Sequence, residues 1–157
     1  MKQSPEDQIV TERMQPGVYS RDGFLGSDRR PLGEIIDSDR SAVEQLATTN
    51  EAIAAKLQEA LSKAMATYGT PVQIAEDLTA ECYESRGKIP STFGDGVFQK
   101  GEVKIGDSRT GRSIYISPLS VHMIQAQGFY GGRGSRYRVE PSHVCEMFGI
   151  RPQPQEH

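Results

Sequence analysis

Eleven consecutive residues, Gly128-Phe129-Tyr130-Gly131-Gly132-Arg133-Gly134-Ser135-Arg136-Tyr137-Arg138, hold three arginines, four glycines, three aromatics and one hydroxyl. An arginine fork binds phosphate or carboxylate through paired hydrogen bonds. Glycines let backbone N–H groups close on an anion. Aromatic rings stack on bases. These are the ingredients of a nucleotide or single-stranded nucleic-acid site. The candidate ligand-binding set is Tyr130, Gly131, Gly132, Arg133, Gly134, Ser135, Arg136, Tyr137 and Arg138, with His122 at the rim. The segment is not a Walker loop, because no Gly-Lys-Ser/Thr follows at the right spacing, and no strand precedes it directly as a dinucleotide fingerprint requires. The competing reading is a surface loop whose aromatics pack down and whose arginines pair with Glu140, Glu146 or a neighbouring chain.

Other chemistry is sparse. His122 lies on a helix just before the loop, where it could serve as a general base or donate a proton to a held ligand. It is the one catalytic candidate, set against a purely structural histidine. Gly26-Ser27-Asp28-Arg29-Arg30 resembles an anion site at a helix start, but Asp28 would occupy that site as a cap. Glu76 and Asp77 point to opposite faces of a strand, and Glu81 and Glu84 are out of phase, so neither pair shares a proton. No Gly-x-Ser-x-Gly elbow occurs. Cys82 and Cys145 form no CxxC, and His122, His143 and His157 have no metal spacing, so neither a metal nor a cofactor is expected. A faint helix-turn-helix flavour over residues 42–61 fails because the second helix is too long and its exposed face is not basic.

Charge is unevenly spread. Residues 1–98 carry net −6, residues 99–138 net +5 and residues 139–157 net −2, within a total of −3. A basic block in an acidic protein attracts an anion locally, or pairs with the acidic half of its own fold or of a second subunit.

The elements that must position these groups follow from periodicity. Residues 1–22 are polar, with Pro5, Pro16 and Gly17, and read as a mobile arm. A helix is expected from about Arg29 to Leu46, capped by Asp28, with Leu32, Ile35, Ile36, Val43 and Leu46 on one face and Asp39 at or near the same stripe. A second helix begins at a Thr48-x-x-Glu51 capping box, carries Ile53, Leu57, Leu61, Ala64, Met65 and Tyr68, and closes near Gly69. The short link between them suggests a helical hairpin. From Val72 the period becomes two. Leu78, Ala80 and Cys82 alternate in one strand, Val103 and Ile105 in another, and Ile114 and Ile116 in a third. Gly106 to Gly111 is a hairpin turn. Ser117-Pro118 starts a helix that ends at Gly128, residues 137–139 form a short strand, and a last helix runs from Pro141 to Phe148. The expected architecture is α+β: an N-terminal helical hairpin, an antiparallel sheet of three to four strands with a helix packed on it, and a short C-terminal helix. Residues 23–150 form the domain, and residues 151–157 a disordered tail.

Gly23-Phe24-Leu25-Gly26-Ser27-Asp28-Arg29, with His122-Met123-Ile124 and the 128–138 stretch, resembles a group of small bacterial proteins of unassigned function over roughly residues 23–150. The resemblance brings no activity with it. In that group a cysteine stands at the position of Ser91 and a histidine at that of Gln127, so no thiol or metal role is expected here.

The leading expectation is a non-catalytic cytoplasmic module that takes an anionic small molecule or single-stranded nucleic acid at residues 128–138. One alternative is a homo-oligomeric structural protein whose basic segment meets an acidic surface. The other is a small enzyme using His122. No apolar run approaches the ~18 residues of a membrane span.

Overall fold

The computed structural model describes residues 3–67, 69–83 and 86–151. Within them the helices are α1 (Pro5–Arg13), α2 (Leu32–Gln45), α3 (Asn50–Met65), α4 (Pro118–Gln127) and α5 (Pro141–Phe148). The strands are β1 (Val72–Ala75), β2 (Leu78–Tyr83), β3 (Lys88–Pro90), β4 (Val97–Gln99), β5 (Glu102–Asp107) and β6 (Ser113–Ile116). The fold is α+β. Tyr68, Glu84 and residues 152–157, which include most of the expected tail, lie outside the described residues.

The two-residue period sets the sheet. Antiparallel β1-β2-β5-β6 puts Ala80, Ile105 and Ile114 in one cross-strand row and Cys82, Val103 and Ile116 in the next. Both rows are buried. The face of α3 formed by Ile53, Leu57, Leu61 and Ala64 joins the same core. Each valine, leucine or isoleucine among them contributes about 1.5–3 kcal/mol on full burial. The hairpin β3–β4 interrupts the chain between β2 and β5 and forms a separate two-stranded sheet.

A second core gathers Met14, Phe24, Leu25, Leu32, Ile35, Leu119, Met123 and Phe129. Helix α4 is shared between the two: Val121 and Ile124 face the sheet core, while Leu119 and Met123 face the second. Its start is a capping box, in which the Ser117 hydroxyl accepts from the Ser120 N–H and the Ser120 hydroxyl from the Ser117 N–H. Gly128, at φ 69°, ends it in the left-handed conformation glycine tolerates. Whatever follows Gly128 is therefore clamped between two cores.

Several expectations are corrected. The segment expected to be a mobile arm carries α1, started by Ser4 and anchored by Val10 and the fully buried Met14. Two apolar residues four apart are enough to dock one turn onto a neighbouring surface, but make a faint pattern. Helix α2 begins at Leu32 behind Pro31 with no side-chain cap, because the Asp28 carboxylate is engaged elsewhere. The cap of α3 is Thr49 rather than Thr48: its hydroxyl accepts from the Ala52 N–H, after Ala47 turns the chain at φ 54°. Residues 137–139 are not a strand; the Val139 N–H donates to the Tyr130 carbonyl, while those of Tyr137 and Arg138 turn back to Ser135. Helices α2 and α3 are consecutive, but α3 packs chiefly on α4 and β2, and α2 on α5 and α1. No helix among the described residues is long and apolar enough to cross a membrane.

Candidate functional site

The 128–138 loop crosses the 23–28 segment at close quarters. The Gly132 N–H donates to the Phe24 carbonyl at 2.8 Å, and the Ser27 N–H to the Arg133 carbonyl at 2.9 Å. A Cβ on Gly132 would run into the Leu25 backbone, so glycine is required for this approach. The loop's backbone donors are largely spent internally: Ser135 N–H on the Gly132 carbonyl, Arg138 N–H on the Ser135 carbonyl, and Tyr137 N–H on the Ser135 hydroxyl. The Arg133 N–H donates to the Asp28 carboxylate at 3.2 Å, and Arg30 grips the same carboxylate through Nε and Nη2 at 3.0 and 2.7 Å. The hydrogen bonds from Arg30, chiefly, and from the Arg133 and Arg30 backbone hold that carboxyl well below the usual range. Asp28 is thus the anion that the glycine-rich turn already holds.

The aromatics divide in the same way. Phe129 and Tyr130 are each 1% exposed. The Tyr130 hydroxyl donates to Asn50 at 2.7 Å, and Phe129 meets Phe93 edge-on at 6.1 Å between centroids. Neither offers a face to a ligand. Tyr137 is half-buried against Phe24, with centroids 5.5 Å apart.

The three arginines do not converge. Arg138 reaches the buried Asp39 of α2 through Nη1 and Nη2 at 2.6 and 2.9 Å, and Glu140 through Nε and Nη2 at 3.0 and 2.9 Å. Burial alone would lower its pKa, but the two carboxylates raise it. Asp39 therefore belongs to the buried stripe of α2, its charge met by a loop 99 residues away. Arg133 is exposed and makes no side-chain ion pair among the described residues. Arg136 grips Glu102 of β5 through Nε and Nη2 at 2.6 and 2.8 Å, and its guanidinium carbon lies 4.1 Å from the centre of the Tyr115 ring.

Arg136 and Tyr137, alone of the loop, line a cleft of about 530 Å³. Its other walls come from Tyr19 to Phe24, from Gln99 to Glu102, and from Tyr83, Ile89, Ser117 and Leu119. Arg136 and Glu102 neutralise each other there. Arg21 and Lys100 remain against Asp22, and among the described residues neither cation forms an ion pair. Burial, with Glu102 and Asp22 nearby, pushes Tyr137 up to about 12, so it stays a neutral hydroxyl.

His122 does not line this cleft. Its Nε2 lies 2.8 Å from Asp95 in the β3–β4 turn, and the Gln127 amide donates to the same oxygen at 2.7 Å. Phe98 stacks on the imidazole at 4.5 Å. Burial raises the Asp95 carboxyl, but hydrogen bonds from Ser91, Gln127 and His122 outweigh it and lower it to about 2. Asp95 and Phe98 of the hairpin both engage side chains of α4, so the cluster reads as a clasp holding the hairpin on that helix. Among the described residues no three acidic, histidine or cysteine side chains gather to hold a metal, and both cysteines are buried thiols.

The residues that sequence reasoning missed are Arg21, Lys100 and Tyr83, which have no mutual spacing, and Asp95, which reads as a turn former. Comparison with protein-family models, with curated proteins and with solved structures finds no match for the chain. The site rests on its own geometry.

Proposed function

We propose that this protein is a non-catalytic module that binds a small anionic ligand, and that the site is the cleft beside Arg136 rather than the glycine-rich turn itself. The observation that carries the reading is the pair Arg21 and Lys100, two cations without a carboxylate partner among the described residues, on the wall of a cleft of about 530 Å³. That volume lies within the ~300–1,000 Å³ of small-molecule sites. Arg136 supplies a fixed, planar wall, and Tyr137 a neutral hydrogen-bonding one. The turn at 131–135 positions both by its crossing of the 23–28 segment.

The test is calorimetric titration of the full chain with pyrophosphate and with ribose 5-phosphate at low salt. Binding is expected, weakening as salt rises because the cations are exposed. The double variant Arg21→Ala/Lys100→Ala is expected to lose about tenfold or more in affinity, the scale of a charged hydrogen bond. Equal affinity in wild type and double variant, or no binding by either, removes the reading.

A further inference from the structure

Arg136 is the loop arginine at the cleft, yet its usual anion-binding edge is taken. Nε and Nη2 are both engaged by Glu102, at 2.6 and 2.8 Å. One face of the guanidinium is covered by the Tyr115 ring at 4.1 Å. The side chain nevertheless keeps 41% of its exposure. Neither contact uses Nη1 or the opposite face of the guanidinium, and Arg136 lines the cleft. A guanidinium fixed in this way, by a carboxylate along one edge and an aromatic ring beneath, is a rigid flat plate with its rotamer entropy already lost. Such plates stack on planar rings as a phenyl group does, and the positive charge strengthens the contact with an electron-rich ring. Tyr83 and Tyr137 also line the cleft. Arg21 and Lys100 stand on the same walls for a negative group.

Resting on the reading of the cleft as an anion site, we infer that its ligand is a nucleotide: a planar heteroaromatic base stacked on the open face of Arg136, with the phosphate at Arg21 and Lys100. In this role Arg136 is a stacking plate and not a phosphate fork. The same chemistry is offered by a free mononucleotide and by one residue of a single strand.

The four ribonucleoside monophosphates are titrated against ribose 5-phosphate, which carries the same phosphate and sugar without a base. At least one nucleotide is expected to bind about tenfold more tightly, within the range of one base stacked on a protein side chain. Arg136→Lys keeps a cation for Glu102 and removes the plane. It is expected to narrow the gap between nucleotide and ribose 5-phosphate, with nucleotide affinity falling several-fold more than ribose 5-phosphate affinity. Tyr115→Leu, which removes the support beneath the guanidinium, is expected to narrow the same gap and serves if the lysine variant folds poorly. A gap absent in wild type, or present and untouched by both variants, overturns the stacked base while the anion reading survives. Ribose 5-phosphate and nucleotides all failing to bind overturns both. An octanucleotide binding more tightly than the best mononucleotide assigns the base to a single strand; equal or weaker binding assigns it to a free nucleotide.

Discussion

Arg138 and Arg136 stand two residues apart on one loop and have opposite surroundings. Arg138 is 14% exposed, grips two carboxylates, and joins the loop to a helix whose buried face carries Asp39 at 7%. Arg136 is 41% exposed, grips one carboxylate along one edge, and looks into a cleft. The first has its hydrogen-bonding capacity absorbed by the fold, and the second has a face and an edge to spare. Charge in a loop is therefore no measure of readiness for a ligand. What decides is how many carboxylates the rest of the chain brings to it, and from which side.

The comparison breaks first at Arg138. Removing one partner of a buried ion pair leaves the other uncompensated, so Arg138→Ala is expected to cost about 3–5 kcal/mol in urea unfolding. Neutralising both ends, in Asp39→Asn with Arg138→Met, is expected to recover much of that loss. A loss below about 1 kcal/mol for Arg138→Ala would make the two arginines alike. Next comes the crossing that holds the loop in place. Gly132→Ala puts a methyl group against the Leu25 backbone and is expected to cost about 1–3 kcal/mol, read by the same unfolding curves. Arg136→Ala removes a partly exposed pair and is expected to cost no more than about 1 kcal/mol. The same variant is expected to weaken ligand binding, which Gly132→Ala affects only through the fold.

The smallest effect lies at the clasp and serves as a control outside the loop. Asp95 is held at about 2 against the ordinary 3.8. A carboxyl held down in the folded state stabilises fully above its ordinary value and loses that contribution as pH falls through the folded one. Between about pH 4 and pH 2, wild type is therefore expected to lose slightly more stability than Asp95→Asn. Parallel acid profiles for the two would remove the clasp from the account.

Much of this architecture is legible in the residues. The alternation of Leu78, Ala80 and Cys82, of Val103 and Ile105, and of Ile114 and Ile116 reports a sheet with one buried face. Ser117-Pro118 and Gly128 mark both ends of α4 because capping is a local interaction. Where two neighbours can do the same job, local reading slips by one, as at Thr48 and Thr49. Helix α1 is hidden because its anchors are only Val10 and Met14, while Ile9 is half exposed. The candidate site is harder still. Asp39 stands out as an acid on an apolar stripe and Arg138 as a cation in a loop, but nothing local connects residues 99 apart. The cleft is assembled from six separate stretches of chain, and Arg21 and Lys100, which form no ion pair among the described residues, sit in segments with no motif.

The central claim is that the receptor surface lies at the Arg136 end of the loop and is closed at the Arg138 end. The most direct measurement is an amide and arginine side-chain NMR titration of the full chain with a nucleoside monophosphate. Shifts concentrated at Arg21, Lys100, Gly101, Arg136 and Tyr137, with Asp39, Arg138 and Glu140 unmoved, are the expected result. Shifts centred on the 131–135 turn and Arg138, or none at saturating ligand, would contradict it.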